Sequence, residues 1–344
     1  MVRRILVFGA TGNQGGAVAQ LLLQHPKSYS VRAVTRDPSS HAAKAIGAQG
    51  AEVIKADLTV PSSLPPAFEG CWGVFGVTNF YDSNIKDDPS SEEQQGKNLV
   101  DAAAAAGTVE CLVWSTLPSS KQISGGRFVS QIYEGKHHVD DHIRQRNFPA
   151  CFLYTGNFYE NMILRSHMRY NPAISDTIEF QQPIVEANTR LAMLFVEKDL
   201  SAIAKAVFDQ WDSKKDRLTH TYLYCCNARV SPNEIVACVE RITGKATVYT
   251  KLESTGWKDR DIMFQLYNEC GPIRWVKQSW GWVLQCIRRG EIREKNHMDK
   301  SLCGDCMVSL CCHCCAVIQQ EKEVKARVSG VNKTGYQQQP GMSV

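Results

Sequence analysis

A chain of 344 residues that is 43% hydrophobic and 22% charged has the composition of a globular protein, which excludes a disordered or fibrous class. Its net charge of +4 hides two regimes: residues 1–271 carry 28 Lys/Arg against 29 Asp/Glu, and residues 272–344 carry 11 against 6. The larger part is slightly acidic and shows no basic recognition helix, so direct nucleic-acid binding is not expected of it, and no run of 18 uncharged apolar residues is present to cross a bilayer.

Met1-Val2-Arg3-Arg4 runs directly into an apolar segment, with no signal-peptide pattern. Cysteines 71, 111, 151, 225, 226 and 238 are spaced as buried small hydrophobes of a reducing compartment, so the expected location is cytoplasmic, nuclear or both. The run Ile5-Leu6-Val7-Phe8 predicts a buried strand over 4–9. Straight after it, Gly9-Ala10-Thr11-Gly12-Asn13-Gln14-Gly15 predicts a tight turn that opens a helix over 14–25, with Val18, Leu21 and Leu22 on one face. Glycines let the backbone turn sharply and approach a pyrophosphate, which then faces the free N–H groups and positive dipole end of the helix. A second strand, 29–35, ends in Thr35-Arg36-Asp37. An acidic side chain there accepts from the ribose 2′-hydroxyl of NAD, whereas the planar fork of an arginine suits a 2′-phosphate. Arg36 points to NADP(H), with NAD as the alternative, because Asp37 could pair with Arg36 or bind a ribose itself.

Further strands are predicted at 52–56, 72–77, 110–115 and 150–154, with helices at 38–48, 61–68, 91–106 and 129–145, the rhythm of βαβ units. Val74-Phe75-Gly76-Val77 and Cys111-Leu112-Val113-Trp114 are almost wholly apolar, as parallel strands covered on both faces are. The expected class is α/β, with a doubly wound parallel Rossmann sheet of at least six strands over residues 1–156. From 157 to 271, helices at 158–169, 199–212, 231–243 and 257–269 mix with short strands at 177–181, 218–225 and 246–251. They predict a smaller α+β lobe closing over the carboxyl ends of the strands. Gly125-Gly126 predicts a mobile loop beside that site.

The first 271 residues resemble the NmrA-like family of atypical short-chain dehydrogenases. The resemblance rests on Val7 to Gly16, Val31 to Pro38, Gly50-Ala51-Glu52-Val53 with Asp57, Val77 to Phe80, Gln95-Gly96-Lys97, Gly135-Lys136 and Asn157 to Asn161. It implies Gly9, Ala10, Thr11, Gly12, Asn13, Gln14 and Gly15 on the pyrophosphate and Arg36 on the 2′-phosphate. It further implies Asp57 and Leu58 near the adenine, Thr78, Asn79 and Phe80 on the nicotinamide side, Lys136 at the ribose, and Phe158, Tyr159, Glu160 and Asn161 closing the pocket. Ser40 and Gln94 stand where family members often carry cations.

Ordinary short-chain dehydrogenases use Tyr-x-x-x-Lys, whose i, i+4 spacing puts both side chains on one helix face so that the lysine cation assists the tyrosine as acid. Here Ile132 stands four before Lys136, and Tyr133 only three before. Lys136 is the candidate catalytic group, as a base by itself or with a proton from Tyr133, Tyr154 or Tyr159; holding ribose hydroxyls is the simpler role. The favoured expectation is an NADP(H)-binding regulator that reports redox state by contact with a transcription factor or another protein, as the resemblance implies. The alternative is an NADPH-dependent reductase of a small molecule.

Residues 272–328 form a separate cysteine-rich segment, and 329–344, rich in Gly, Gln, Ser and Lys, read as a disordered tail. Trp280 to Gly290, Gly304-Asp305-Cys306 and Cys311 to Glu323 resemble the carboxyl half of the small cysteine-rich family named after a placenta-specific gene. Cys303, Cys306, Cys311, Cys312, Cys314, Cys315 and His313 leave soft-metal binding, disulfides, palmitoylation and simple packing open, with no metal assigned. Trp275, Trp280 and Trp282 among Arg274, Lys277, Arg288 and Arg289 raise membrane-surface contact as a further alternative.

Overall fold

The computed structural model describes residues 1–80, 90–171, 176–256 and 258–270. A seven-stranded sheet forms its centre, built from β1 (Arg3–Val7), β2 (Tyr29–Thr35), β3 (Glu52–Lys55), β4 (Gly73–Gly76), β5 (Cys111–Thr116), β6 (Ala150–Thr155) and a late strand, Tyr222–Cys225. In space the order is the late strand, β6, β5, β4, β1, β2, β3, with every neighbouring pair parallel. All side chains of β4 and β5 are buried, which is what helices on both faces of a parallel sheet require. Helices α1 (Asn13–Leu23), α2 (His41–Ala48), α3 (Pro65–Phe68), α4 (Ser90–Ala106), α5 (Ser120–Ile123) and α6 (Gln131–Gln145) connect the strands. Trp114 of β5, fully buried with Leu99 of α4 and Val139 of α6, marks the thickest part of one face.

Strand order reverses at β1, with β2 on one side and β4 on the other. The turns leaving β1 and β4 therefore diverge and open a crevice at their carboxyl ends, where ligands of such sheets bind.

Beyond β6 the local pattern and the structure part company. A helix expected over 158–169 is instead β7 (Asn157–Phe158), α7 (Asn161–Leu164) and β8 (Met168–Asn171). Asn157 and Phe158 pair with Met193 and Leu194 of β10 (Leu191–Leu194), and β8 runs antiparallel to β9 (Thr177–Pro183). Ser166, at φ 51°, ends the helical path between them. Pairing partners distant in sequence thus outweigh a helical apolar period.

The segment Ser201–Leu218 (α8) and the strand Tyr222–Cys225 (β11), expected in the smaller lobe, return to the large sheet: β11 pairs with β6 and extends its edge. Buried Phe208 and Trp211 of α8 supply the apolar face that this return requires. The remaining elements, β12 (Ala228–Val230), α9 (Pro232–Thr243), β13 (Thr247–Leu252) and α10 (Lys258–Cys270), complete two three-stranded sheets, β12-β10-β7 and β13-β9-β8, and a closing helix. Among the described residues no helix is long and apolar enough to cross a membrane.

Candidate functional site

The crevice at the carboxyl ends of β1 and β4 is a cleft of about 950 Å³. Its floor begins with the turn after β1. Gly9 sits at φ 62°, a left-handed conformation that glycine adopts without strain. The Gly12 N–H donates to the Gly9 carbonyl (2.9 Å), which folds the turn back on itself. A Cβ on Gly15 would lie 2.3 Å from the Phe8 carbonyl oxygen, so only glycine lets α1 start this close to β1. Gly12 caps α1 with no side-chain acceptor, and its first turn holds no acidic residue. Unsatisfied N–H groups and a positive dipole end face the cleft, the arrangement that holds a pyrophosphate.

Arg36 and Asp37 lie exposed at the rim, where β2 ends. The Asp37 carboxylate turns toward Ser39, accepting from its N–H (2.9 Å) and hydroxyl (2.5 Å), bonds that hold its pKa below the usual range. Ser40 caps α2 by accepting from the Ala43 N–H. Asp57 and Leu58 line the same end, Asp57 accepting from the Thr59 N–H (2.8 Å) in a local turn.

At the other end, Thr78, Asn79 and Phe80 follow β4, Ser115, Thr116 and Leu117 leave β5, and α6 brings Ile132, Tyr133 and Lys136. Sequence reasoning missed the partner of Lys136. Its ammonium donates to Glu92 Oε1 (2.8 Å), the Thr78 carbonyl (3.1 Å) and Thr78 Oγ1 (2.9 Å), which engages all three of its N–H bonds. Thr78 Oγ1 in turn donates to Glu92 Oε1 (2.8 Å). Glu92 is only 1% exposed and stands behind Thr78 and Lys136, outside the cleft lining. The lysine therefore leans on α4 and β4, not toward a tyrosine. Tyr133, one residue past Ile132, donates its hydroxyl to Tyr267 of α10 (3.1 Å).

Three sequence-predicted residues do not line the cleft. Ala10 is buried beneath the turn. Tyr159 stacks on Phe195 with ring centroids 4.5 Å apart. Glu160 accepts from the Val196 N–H (2.7 Å) and so ties the start of α7 to the segment after β10. Phe158 and Asn161 do face the cleft. Tyr154, weighed as a proton donor, stacks on Tyr222 at 4.2 Å away from the cleft, and burial followed by its tyrosine and Asp140 neighbours pushes its pKa up.

What sequence reasoning did not place is the outer half. Helix α10 adds Arg260, Met263, Phe264 and Tyr267 to the lining, where Met263, Phe264 and Tyr267 pack in one apolar cluster with Met162 and Met193, and His167 lines the same part. Its Asp259 carboxylate accepts from the Ser130 hydroxyl (3.0 Å) and the Gln131 and Ile132 N–H groups, capping α6 and locking the two helices together. Burial, with Arg260 and Arg165 nearby, lowers the His167 pKa to about 4, so its imidazole is neutral.

Below Lys136 on α6 lies Asp140, fully buried, with Thr116, Tyr222 and Trp114 around it and neither oxygen in a well-formed hydrogen bond. Burial holds this carboxyl neutral well above the usual range. An unfolded Asp titrates near pH ~3.9, so above that pH the unfolded chain releases a proton that the folded chain keeps, and stability falls as pH rises. Asp140→Asn is expected to match wild type in thermal denaturation near pH ~4 and to melt several degrees higher near pH ~8. A melting difference that is the same at both pH values contradicts this.

Among the described residues no group of three His, Cys, Asp or Glu is placed to hold a metal. The cysteine-rich segment 272–328 and the tail 329–344 lie outside the described residues, as do the metal and membrane-surface alternatives attached to them.

The model of the NmrA-like family matches residues 1–272. Among curated relatives, the NmrA-like family domain-containing oxidoreductase hkm9 of Aspergillus hancockii is 30% identical over 268 residues, 75% of this chain and 77% of its own. The oxidoreductase himF of Aspergillus japonicus is 41% identical over 211 residues, 59% of this chain and 63% of its own. Among solved structures, the negative transcriptional regulator NmrA in complex with NADP superposes with a TM-score of 0.64 at 19% identity, covering 79% of this chain and 82% of that one. Its complex with NAD gives 0.66 at 18% identity, and both likenesses speak to the fold. By the extent of the family match, this chain belongs to the NmrA-like family.

Proposed function

We propose that this protein is an NADP(H)-dependent oxidoreductase acting on a small, largely apolar molecule. The observation that carries this reading is the outer half of the cleft. Beyond Thr78 and Lys136 its lining turns apolar: Met162, Met193, Met263, Phe264 and Tyr267 pack on one another and form one wall of the cleft, a surface that a nucleotide by itself does not need. Flexible thioethers and aromatic faces suit a flat or irregular apolar ligand. The oxidoreductase names of the relatives from Aspergillus support the same reading.

The turn from Gly9 to Gly15 would hold the pyrophosphate, and Arg36 the 2′-phosphate that marks NADP(H), with NAD as the weaker fit. When bound, NADPH supplies a hydride. The chain's own work is to place the acceptor, exclude water and provide a proton. With Ile132 where a tyrosine stands in ordinary short-chain dehydrogenases, the hydroxyl offered to a substrate oxygen is that of Tyr267, itself accepting from Tyr133. It would give up a proton that solvent then replaces.

A second reading, a regulator that binds NADP(H) without turnover and docks on a protein such as a transcription factor, draws support from Lys136 being fully engaged by Glu92 and Thr78. Purified protein incubated with NADPH and a panel of quinones, enones and cyclic imines separates the two. Consumption of NADPH, lowered roughly tenfold or more by Tyr267→Phe, is expected. Tight NADPH binding, weakened by Arg36→Ala, with no consumption on any member would favour the regulator.

A further inference from the structure

We propose that Glu92 sets the redox preference of the bound nicotinamide by cancelling the charge of Lys136. The inference rests on the cleft holding a nicotinamide dinucleotide and goes beyond it to a residue that touches neither cofactor nor substrate. With the pyrophosphate at the start of α1 and the adenosine end at Arg36, the nicotinamide half must lie on the far side of the strand reversal, beside β4 and β5. Thr78 and Lys136 line that side.

The oxidised nicotinamide ring carries a positive charge and the reduced ring carries none. A fixed charge beside the ring therefore acts on one redox form and leaves the other alone. An ammonium without its carboxylate would repel the oxidised ring; a carboxylate without its ammonium would attract it. Sheltered from solvent, either would act with little screening. The structure presents both at once: Lys136 Nζ and Glu92 Oε1 are 2.8 Å apart, with side chains 11% and 1% exposed. Thr78 bridges them and supplies a neutral hydroxyl and carbonyl to the lysine. The second oxygen, Glu92 Oε2, is buried with no hydrogen-bond partner among the described residues. Where the ordinary arrangement directs a lysine cation toward a catalytic tyrosine, this chain turns it onto a carboxylate, which offsets that cation's charge beside the ring.

The test is calorimetric binding of NADP⁺ and NADPH to the full chain, with no turnover required. Contacts to the phosphates, riboses and adenine are common to both forms and cancel in the ratio of the two dissociation constants. In Glu92→Gln the ratio Kd(NADP⁺)/Kd(NADPH) is expected to rise roughly tenfold as the unpaired ammonium repels the oxidised ring. In Lys136→Met it should fall by a similar factor, and the double variant should return close to wild type. By linkage, a tenfold change moves the midpoint potential of the bound couple by about 30 mV. Should one single variant fail to fold, the other carries the same test with the opposite sign. If both fail, Glu92→Asp, which draws the carboxylate back from the ammonium, keeps the test: the ratio is expected to rise, and an unchanged ratio overturns the proposal. Ratios within about twofold of wild type in folded single variants, or a double variant far from wild type, overturn the role of Glu92. Failure of the wild type to bind either nucleotide overturns the dinucleotide reading beneath it.

Discussion

Gly15→Val is expected to abolish measurable NADP⁺ binding, a loss of at least ~100-fold, and to destabilise the fold by about 1–3 kcal/mol through overpacking. The reason is backbone, not side chain. Any Cβ at Gly15 would sit 2.3 Å from the Phe8 carbonyl oxygen and 2.5 Å from Gly9 C and O, atoms of the strand end and turn themselves. These atoms cannot swing aside, so the start of α1 must move away from β1, carrying the anion-binding N–H groups out of register. Milder effects are expected nearby: a Cβ on Gly12 meets the Gly9 carbonyl at 3.4 Å, an ordinary contact. Calorimetric titration and thermal denaturation of Gly12→Ala and Gly15→Val side by side check this order. Retained binding in the Gly15 variant would mean that the turn does not hold the pyrophosphate.

Lys136→Met is expected to cost about 3–5 kcal/mol of stability, because it leaves Glu92 as an uncompensated buried charge. Glu92→Gln should cost a comparable amount from the other side, since Lys136 would keep only the Thr78 contacts. The double variant should recover most of the loss, for two neutral groups of similar volume then fill the site. Denaturant unfolding of all four proteins gives the coupling energy directly, provided the unfolding slope is unchanged. Additive single losses would show that the two side chains are held by their other neighbours and not by each other. Met is preferred to Ala here because it fills the space beside the Trp114 ring, whose centroid lies 5.9 Å from the lysine nitrogen.

The end of the cleft at β1 and β2 was legible in the chain because each feature that shapes it is local. Gly9, Gly12 and Gly15 act through neighbouring backbone, and Arg36 stands where β2 ends; no long-range contact is needed to see either. The parallel sheet was legible for a related reason: β4 and β5 are buried throughout and most of β1, β2 and β6 is buried, so these strands read as short apolar runs with helices between, the edge strand β3 being the exception. The smaller lobe resisted because its strands have two to seven residues and owe their existence to partners elsewhere. Asn157 pairs with Met193, and Met168 with Phe180. A helical period over 158–169 carries no trace of either.

The α/β class, the glycine turn after β1 and the loss of the Tyr-x-x-x-Lys pair could be read from the chain, all properties of residues within one or two turns of each other. The rest came from contacts between residues far apart in the chain. Such contacts gave Lys136 its carboxylate on α4, drew β11 back to the large sheet, and bound α10 to α6 through Asp259, adding the apolar wall of the cleft. Those outcomes depend on which distant groups meet once the apolar faces are buried, and one-dimensional spacing does not encode that.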